Sequence, residues 1–201
     1  MTTEFLDALE DQRLVAIIRE HSADAARDLG ERYIAAGVRL IEVSLVTPGA
    51  IGVIHSLSAT ARGTRTLIGG GTVLTVPEVH DVAVAGGSFI LSPVLDDEVV
   101  TTALAIGLAV VPGCATPTEF AHAADLGASA IKIFPASLWS PATMKDVLQA
   151  LPHLGFLPTG GIDRTSIPAW LAAGAVGVGL GSALSALDAD GVAELLAQAR
   201  L

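Results

Sequence analysis

The chain has 201 residues, a formal net charge of −10 and a sequence pI of about 4.7. This acidity argues against nucleic acid or an anionic membrane as a partner, although a local positive site could still bind an anionic substrate. The length suits one domain over residues 1–201. One cysteine, no long apolar run and no apolar leader predict a cytoplasmic protein without disulfides or a membrane span.

Short apolar runs recur along the chain at intervals of about 20 to 27 residues, the length of one strand, one helix and two turns. Each run is aliphatic on both faces, as is typical of a parallel sheet covered by helices. The predicted strands are residues 14–18, 40–45, 66–68, 89–91, 109–111, 130–133, 155–157 and 176–179.

The segments between these runs carry helix signals. Thr116-Pro117-Thr118-Glu119 predicts a capping box, and Ser140-Pro141 and Thr47-Pro48 offer a similar hydroxyl cap followed by proline. Glycines are expected to end five helices, at Gly37, Gly86, Gly107, Gly127 and Gly174.

Eight strand–helix units in succession predict an α/β fold, a closed (β/α)8 TIM barrel with a short extra N-terminal helix over residues 2–9. The alternative is an open, doubly wound sheet. Its usual glycine fingerprint is missing after the first strand.

Polar side chains follow or interrupt the first three predicted strands. Arg19 ends the first strand, where its guanidinium could bind a carboxylate or simply lie on the surface. Glu42 and Ser44 share one face of the second strand, and burial between Ile41 and Val43 would raise the pKa of Glu42. Three glycines and Thr72 follow the third strand, where a ligand or another backbone could approach closely.

Lys132 lies on the sixth predicted strand, between Ile131 and Ile133. Alternation along the strand turns Lys132 toward the barrel interior, where desolvation lowers the pKa of its amine. A neutral amine can form a Schiff base with a ketone, and Glu42 could shuttle protons beside it. The alternatives are a lysine whose head reaches solvent, or a buried structural Glu–Lys pair.

The last two predicted strands end in glycine-rich turns, with Gly160 and Gly161 after the seventh and Gly181 and Ser182 after the eighth. Backbone N–H groups in such turns can bind phosphate without lysine. The five histidines lack metal-ligand spacing, so we expect neither a metal nor an organic cofactor. Cys114 is expected to be a small apolar residue near the site and not a nucleophile.

These motifs, in this order, resemble the 2-keto-3-deoxy-6-phosphogluconate (KDPG) / 4-hydroxy-2-oxoglutarate (KHG) aldolase family, which includes aldolases for the galactonate epimer (KDPGal). The resemblance covers nearly the whole chain. The matching segments are Leu14-Val15-Ala16-Ile17-Ile18-Arg19, Leu40-Ile41-Glu42-Val43, Gly69-Gly70-Gly71-Thr72-Val73-Leu74 (GGGTVL, where GAGTVL is usual), Leu91-Ser92-Pro93, Val111-Pro112-Gly113, Ile131-Lys132-Ile133-Phe134-Pro135, Pro158-Thr159-Gly160-Gly161 and Gly179-Leu180-Gly181-Ser182.

The resemblance implies a class I aldolase on a TIM barrel, usually a homotrimer, that splits a phosphorylated 2-keto-3-deoxy sugar acid into pyruvate and glyceraldehyde 3-phosphate. By motif, it implies that Lys132 forms the imine and that Glu42 transfers protons through water. It assigns the remaining positions to substrate contacts: Arg19 and Thr72 to the carboxylate, Pro93 and Phe134 to the pocket walls, and Gly160, Gly161, Gly181 and Ser182 to the phosphate.

The chain departs from the family pattern at Val46. Many members carry an arginine there, in a pattern like EVTLRT, while other members lack it and have an arginine at the position of Arg19. The preference among KDPG, KDPGal and KHG therefore stays open. Two other functions also remain: a phosphosugar isomerase or epimerase that does not need Lys132, and a phosphosugar-binding barrel without catalysis.

Overall fold

The computed structural model describes residues 2–199, in which short strands and helices alternate from end to end. The strands are β1 Leu14–Ile18, β2 Leu40–Ser44, β3 Leu67–Gly71, β4 Phe89–Leu91, β5 Ala109–Val111, β6 Gly113–Cys114, β7 Ile131–Ile133, β8 Phe156–Pro158 and β9 Val178–Leu180. The helices are α1 Thr2–Gln12, α2 Ala23–Ala35, α3 Ala50–Thr60, α4 Val76–Val84, α5 Asp97–Ala105, α6 Pro117–Asp125, α7 Pro141–Ala150, α8 Ile167–Ala172, α9 Ser182–Ser185 and α10 Ala189–Ala199, with a 3₁₀ turn at Ala136–Leu138.

All the strand pairs are parallel and form two sheets. The larger sheet is curled and has the order β5-β4-β3-β2-β1-β9, and the smaller has the order β6-β7-β8. Only Pro112, which has no N–H to donate, separates β5 from β6. At the other side, Thr159 after β8 forms a parallel bridge with Gly179 of β9. Strands β1 to β5 lie side by side in chain order, and β6 to β8 do so in the smaller sheet, which is the order of a singly wound barrel and differs from that of a doubly wound sheet.

Side-chain alternation divides the buried residues between two apolar clusters. Ile131 and Ile133 pack in the larger cluster, together with the buried faces of the helices. Ala130 packs in the smaller, inner cluster with Val15, Leu40 and other residues of the opposite strand face. This division confirms that Lys132, between the two isoleucines, shares the inner face with Ala130.

Helix α1 closes the inner cluster at the end where the strands begin. Phe5, Ala8 and Leu9 of α1 are buried in that cluster. The ring of Phe5 lies 5.2 Å from the ring of Phe89, centroid to centroid. The predicted extra helix is thus confirmed and continues three residues further than expected, to Gln12.

Phe5→Ala is expected to lower the free energy of unfolding by about 3 kcal/mol, because it leaves a cavity in the inner cluster. The control is Leu6→Ala on the same helix, where 42% of the residue is exposed, and a loss below about 1 kcal/mol is expected. Urea denaturation measures both variants. Equal losses would show that α1 does not seal this core through Phe5.

The helix-end predictions are confirmed in part. Ser140 caps α7, and all five helix-ending glycines have positive φ angles, between 78° and 105°. The Thr47-Pro48 prediction is wrong: α3 begins at Ala50, and the Thr47 hydroxyl instead accepts a hydrogen bond from Glu20 N. A full capping box lies at Thr75 and Glu78, where it was not predicted. Among residues 2–199, no helix combines the length and the apolar composition needed to cross a bilayer.

Candidate active site

A cavity of about 280 Å³ opens where the strands end. It collects eight of the ten site residues predicted from the sequence. They come from five strand ends that are far apart in the chain: Arg19, Glu42, Lys132, Phe134, Gly160, Gly161, Gly181 and Ser182.

A larger cavity, of about 520 Å³, lies at the opposite end beside α1. Its lining includes Leu6 and Arg13 of the N-terminal segment and Ser129, Gly155 and Val176, which precede three strands. It contains none of the predicted site residues. The smaller cavity is the better candidate because barrel-type α/β enzymes carry their chemistry at the carboxyl ends of strands.

Lys132 reaches this cavity from β7 and is only 4% exposed. Its ammonium nitrogen Nζ lies 4.5 Å from the centroid of the Phe134 ring. Burial lowers the pKa of Lys132 below its usual value; the negative charge of Glu42 opposes this shift and the positive charge of Arg19 adds to it. The lysine is therefore an amine that loses its proton more readily than a surface lysine does.

Glu42 enters the same cavity from β2 and is 1% exposed. Its Oε2 atom is buried and has no hydrogen-bond partner among the described residues. Burial raises the pKa of Glu42, against the lowering effect of the positive charges on Lys132 and Arg19. A carboxyl group held in this way can give up or take a proton at a pH nearer neutrality than a surface carboxyl.

The three glycines of residues 69–71 lie within β3, so the strand extends three residues beyond its predicted end. A Cβ atom on Gly69 would approach the Phe89 ring to within 2.5 Å, and one on Gly70 would come equally close to Val82. A Cβ on Gly71 would overlap the carboxyl group of Glu42. Of the two expectations, a ligand or another backbone close to these glycines, the second holds at Gly69, where a Cβ would also lie 2.5 Å from the backbone oxygen of Phe89; the close neighbours at Gly70 and Gly71 are side chains of the protein itself.

Thr72 and Pro93 are not part of the cavity lining. Thr72 has a φ of 60°, in the left-handed region, and its hydroxyl lies 2.9 Å from the buried Ser44 hydroxyl. Pro93 follows β4, and its backbone lies against Gly113 of β6, the strand next to Lys132. Both residues stand at the carboxyl ends of neighbouring strands, outside the cavity surface.

Arg19 is exposed at the rim of the cavity, directly after β1. Its guanidinium forms no salt bridge within residues 2–199, although its charge acts on both Glu42 and Lys132. Val46, where many family members carry arginine, is 59% exposed and does not line the cavity. Among residues 2–199, Arg19 is thus the arginine that lines this cavity and is available to an anionic ligand.

The predicted glycine turns bring backbone to the cavity wall. Gly160 and Gly161 have φ angles of 87° and 83°, a region that favours glycine over other residues. Gly181 and Ser182 follow β9, beside the first turn. The carbonyl of Gly160 accepts a hydrogen bond from Ser137 N, which ties the first turn to the segment after β7.

Sequence reasoning missed several cavity residues, among them Glu20 and Thr159. Glu20 directly follows Arg19, and nothing in the residues around it indicated a second polar group at this strand end. Thr159 is 3% exposed and precedes the glycine pair, so its place at a strand end was the available signal.

The metal-ligating side chains and the cysteine of residues 2–199 give little indication of a metal centre or a cysteine nucleophile. Within residues 2–199, no group of three or more His, Cys, Asp or Glu side chains is arranged to hold a metal ion. Cys114 is buried, and burial raises the pKa of its thiol to about 12. It therefore stays a neutral thiol at neutral pH, as expected of a packing residue.

The matching family model, similar sequences and similar structures indicate one protein family. The family model described as "KDPG and KHG aldolase" matches residues 6–196. The chain belongs to this family. It is therefore an aldolase, a lyase that breaks a carbon–carbon bond.

Members of the KDPG and KHG aldolase family with different substrate names resemble the chain. A 2-dehydro-3-deoxy-6-phosphogalactonate aldolase from Escherichia coli is 37% identical over 172 residues, which cover 85% of this chain and 83% of that protein. A solved native KDPGal structure has a TM-score of 0.83 at 34% identity, covering 93% of this chain and 91% of the other.

A KDPG aldolase from Legionella pneumophila, crystallised with pyruvate captured as a covalent carbinolamine, has a TM-score of 0.77 at 28% identity. The match covers 97% of this chain and 96% of that one. The chain thus resembles members of this family that are named for KDPGal and members named for KDPG.

Proposed function

We propose that this aldolase cleaves KDPG into pyruvate and glyceraldehyde 3-phosphate through an imine on Lys132. The observation that carries the proposal is the pairing of two buried groups in one cavity, the Lys132 amine and the Glu42 carboxyl, 4% and 1% exposed. Burial moves the pKa of both groups toward neutrality, so the lysine can be neutral and the carboxyl can exchange protons. The covalent pyruvate adduct of the Legionella relative supports the same chemistry here.

The reaction begins when the neutral Lys132 amine attacks the C2 ketone. The resulting carbinolamine loses water and becomes a protonated imine, which can accept an electron pair. Glu42, acting through a water molecule, takes the proton from the C4 hydroxyl, and the C3–C4 bond breaks. The electron pair of the broken C3–C4 bond moves into the imine to form an enamine, and C4 leaves as the aldehyde carbon of glyceraldehyde 3-phosphate. Protonation at C3 and hydrolysis release pyruvate and restore the amine.

The substrate contacts are proposed by motif, and a place in the cavity lining supports all of them except Thr72 and Pro93. Arg19, at the cavity rim, binds the carboxylate. Thr72, at the end of β3 two strands away, assists it, and Phe134 and Pro93 form pocket walls. The phosphate lies against the turns formed by residues 160–161 and 181–182, where backbone N–H groups supply the positive dipoles.

The same chemistry would cleave KDPGal or KHG. These alternatives are supported by a relative named for KDPGal and by the KHG in the family description. A pyruvate-release assay over KDPG, KDPGal and KHG separates them. We expect the highest kcat/KM with KDPG. Pyruvate from none of the three would refute the proposed function. A more remote alternative, a phosphosugar isomerase or epimerase, would isomerise a phosphosugar without releasing pyruvate.

We further propose that residues 1–201 form one domain and that its two sheets form a closed (β/α)8 barrel. The Pro112 interruption between β5 and β6, and the bridge from Thr159 to Gly179, support closure because they leave no wide gap between the sheets. A homotrimer is proposed from the family resemblance. A cytoplasmic location is proposed from the lone, buried cysteine.

A further inference from the structure

Gly71 is the residue of β3 that faces the carboxyl group of Glu42. In the parallel pairing of β2 with β3, Glu42 lies opposite Gly69 and Ser44 lies opposite Gly71. The Glu42 side chain leans along the strands toward their carboxyl ends, so its carboxyl group lies over Gly71. A Cβ atom at position 71 would overlap both Oε1 and Cδ of Glu42 and lie 2.6 Å from Cγ.

The backbone of position 71 does not itself require glycine. Gly71 is a strand residue and is not among the residues with positive φ. Alanine can therefore adopt the same backbone conformation. The three nearest atoms to the missing Cβ all belong to Glu42, so that side chain is the nearest obstacle to a methyl group.

We propose that Gly71 is a positioning residue, whose missing side chain forms the slot that holds the Glu42 carboxyl group beside Lys132. The inference rests on the proposed function, because it gives Gly71 its role through the proton transfer assigned to Glu42. In the slot, Oε2 of Glu42 is shielded from water and has no hydrogen-bond partner among the described residues. A methyl group in the slot pushes the carboxyl group out, away from its place beside the reacting bond.

Gly71→Ala is expected to lower kcat for pyruvate release about 100-fold, as a displacement of about 1 Å can do to a catalytic group. The amine of Lys132 is untouched, so trapping of pyruvate on Lys132 by borohydride should continue. Because the displaced carboxyl group is better hydrated, its pKa falls, and the limb of the kcat–pH profile that reports Glu42 should move to lower pH.

The matched control is Gly70→Ala on the same strand. Its methyl group would meet Val82 of α4 instead of Glu42, and the usual GAGTVL pattern of the family carries alanine at this position. We expect kcat within about threefold of wild type and an unmoved pH profile, whatever stability the variant loses.

The double variant that combines Glu42→Ala with Gly71→Ala gives a second measurement that does not depend on activity. Glu42→Ala removes the three atoms that a methyl group at position 71 would meet first, so Gly71→Ala should cost far less thermal stability in the Glu42→Ala background than in the wild type. This holds even if the single Gly71→Ala variant does not fold. An equal loss in both backgrounds would overturn the proposal.

Two further outcomes would also overturn it. One is a Gly71→Ala enzyme with wild-type kcat and pH profile. The other is a folded Gly71→Ala enzyme that no longer traps pyruvate on Lys132, since the defect would then lie outside Glu42. Failure of the proposed function looks different: the wild-type enzyme itself would release no pyruvate and trap none.

Discussion

Lys132→Met is expected to lower kcat for pyruvate release by roughly four to six decades, the scale on which enzymes lose activity without their nucleophile. Methionine has a similar length and suits a site that is 4% exposed, so the cavity should keep its shape. It has no amine, so no imine can form and the C3–C4 bond has no electron acceptor. Steady-state kinetics measure the loss, and circular dichroism verifies the fold.

Lys145→Met is the matched control, because Lys145 is exposed on α7 and lies outside the cavity. Its kcat should stay within about twofold of wild type. Full turnover in Lys132→Met would contradict imine chemistry. If the phosphosugar isomerase interpretation were correct, isomerisation would survive in this variant.

Glu42→Gln is expected to lower kcat by roughly two to four decades, the usual contribution of a general acid–base group. The amide has nearly the shape of the carboxyl group and fits the same slot beside Gly71, but it cannot take the C4 hydroxyl proton. Imine formation with pyruvate should continue, since the amine of Lys132 remains. The change should therefore appear in the turnover of the sugar acid and much less in the trapping of pyruvate.

Glu98→Gln, an exposed position on α5, removes a carboxyl group without touching the cavity and should leave kcat unchanged. Near-normal turnover in Glu42→Gln would remove Glu42 from the proposed mechanism. The buried Glu42–Lys132 pair would then be a structural feature, and its removal would be seen in the unfolding free energy alone.

Local sequence patterns predicted the direction of Lys132 correctly. The isoleucines at 131 and 133 need the helix side of the strand, and alternation then turns Lys132 inward, as the two apolar clusters confirm. The glycine helix ends were predicted for a similarly local reason, because a left-handed residue after a helix favours glycine. Signals of this kind depend on neighbours within a few residues.

The role of the glycines at 69–71 could not be predicted in the same way. Which side chain a glycine accommodates depends on the register of β3 against β2 and β4, and the partner residues lie about 20 to 30 positions away in sequence. The set of residues that line the cavity also depends on strand register. Thr159 lines it and Thr72 does not, because the relative heights of the strand ends arise from the pairing of all the strands.

The most direct test of the account is to incubate the wild-type protein with pyruvate and borohydride and to locate the product by peptide mass spectrometry. The account predicts a reduced pyruvyl group on Lys132, formed near neutral pH and more slowly as the pH falls through the lowered pKa of that amine. No adduct, or an adduct on Lys145, would contradict it.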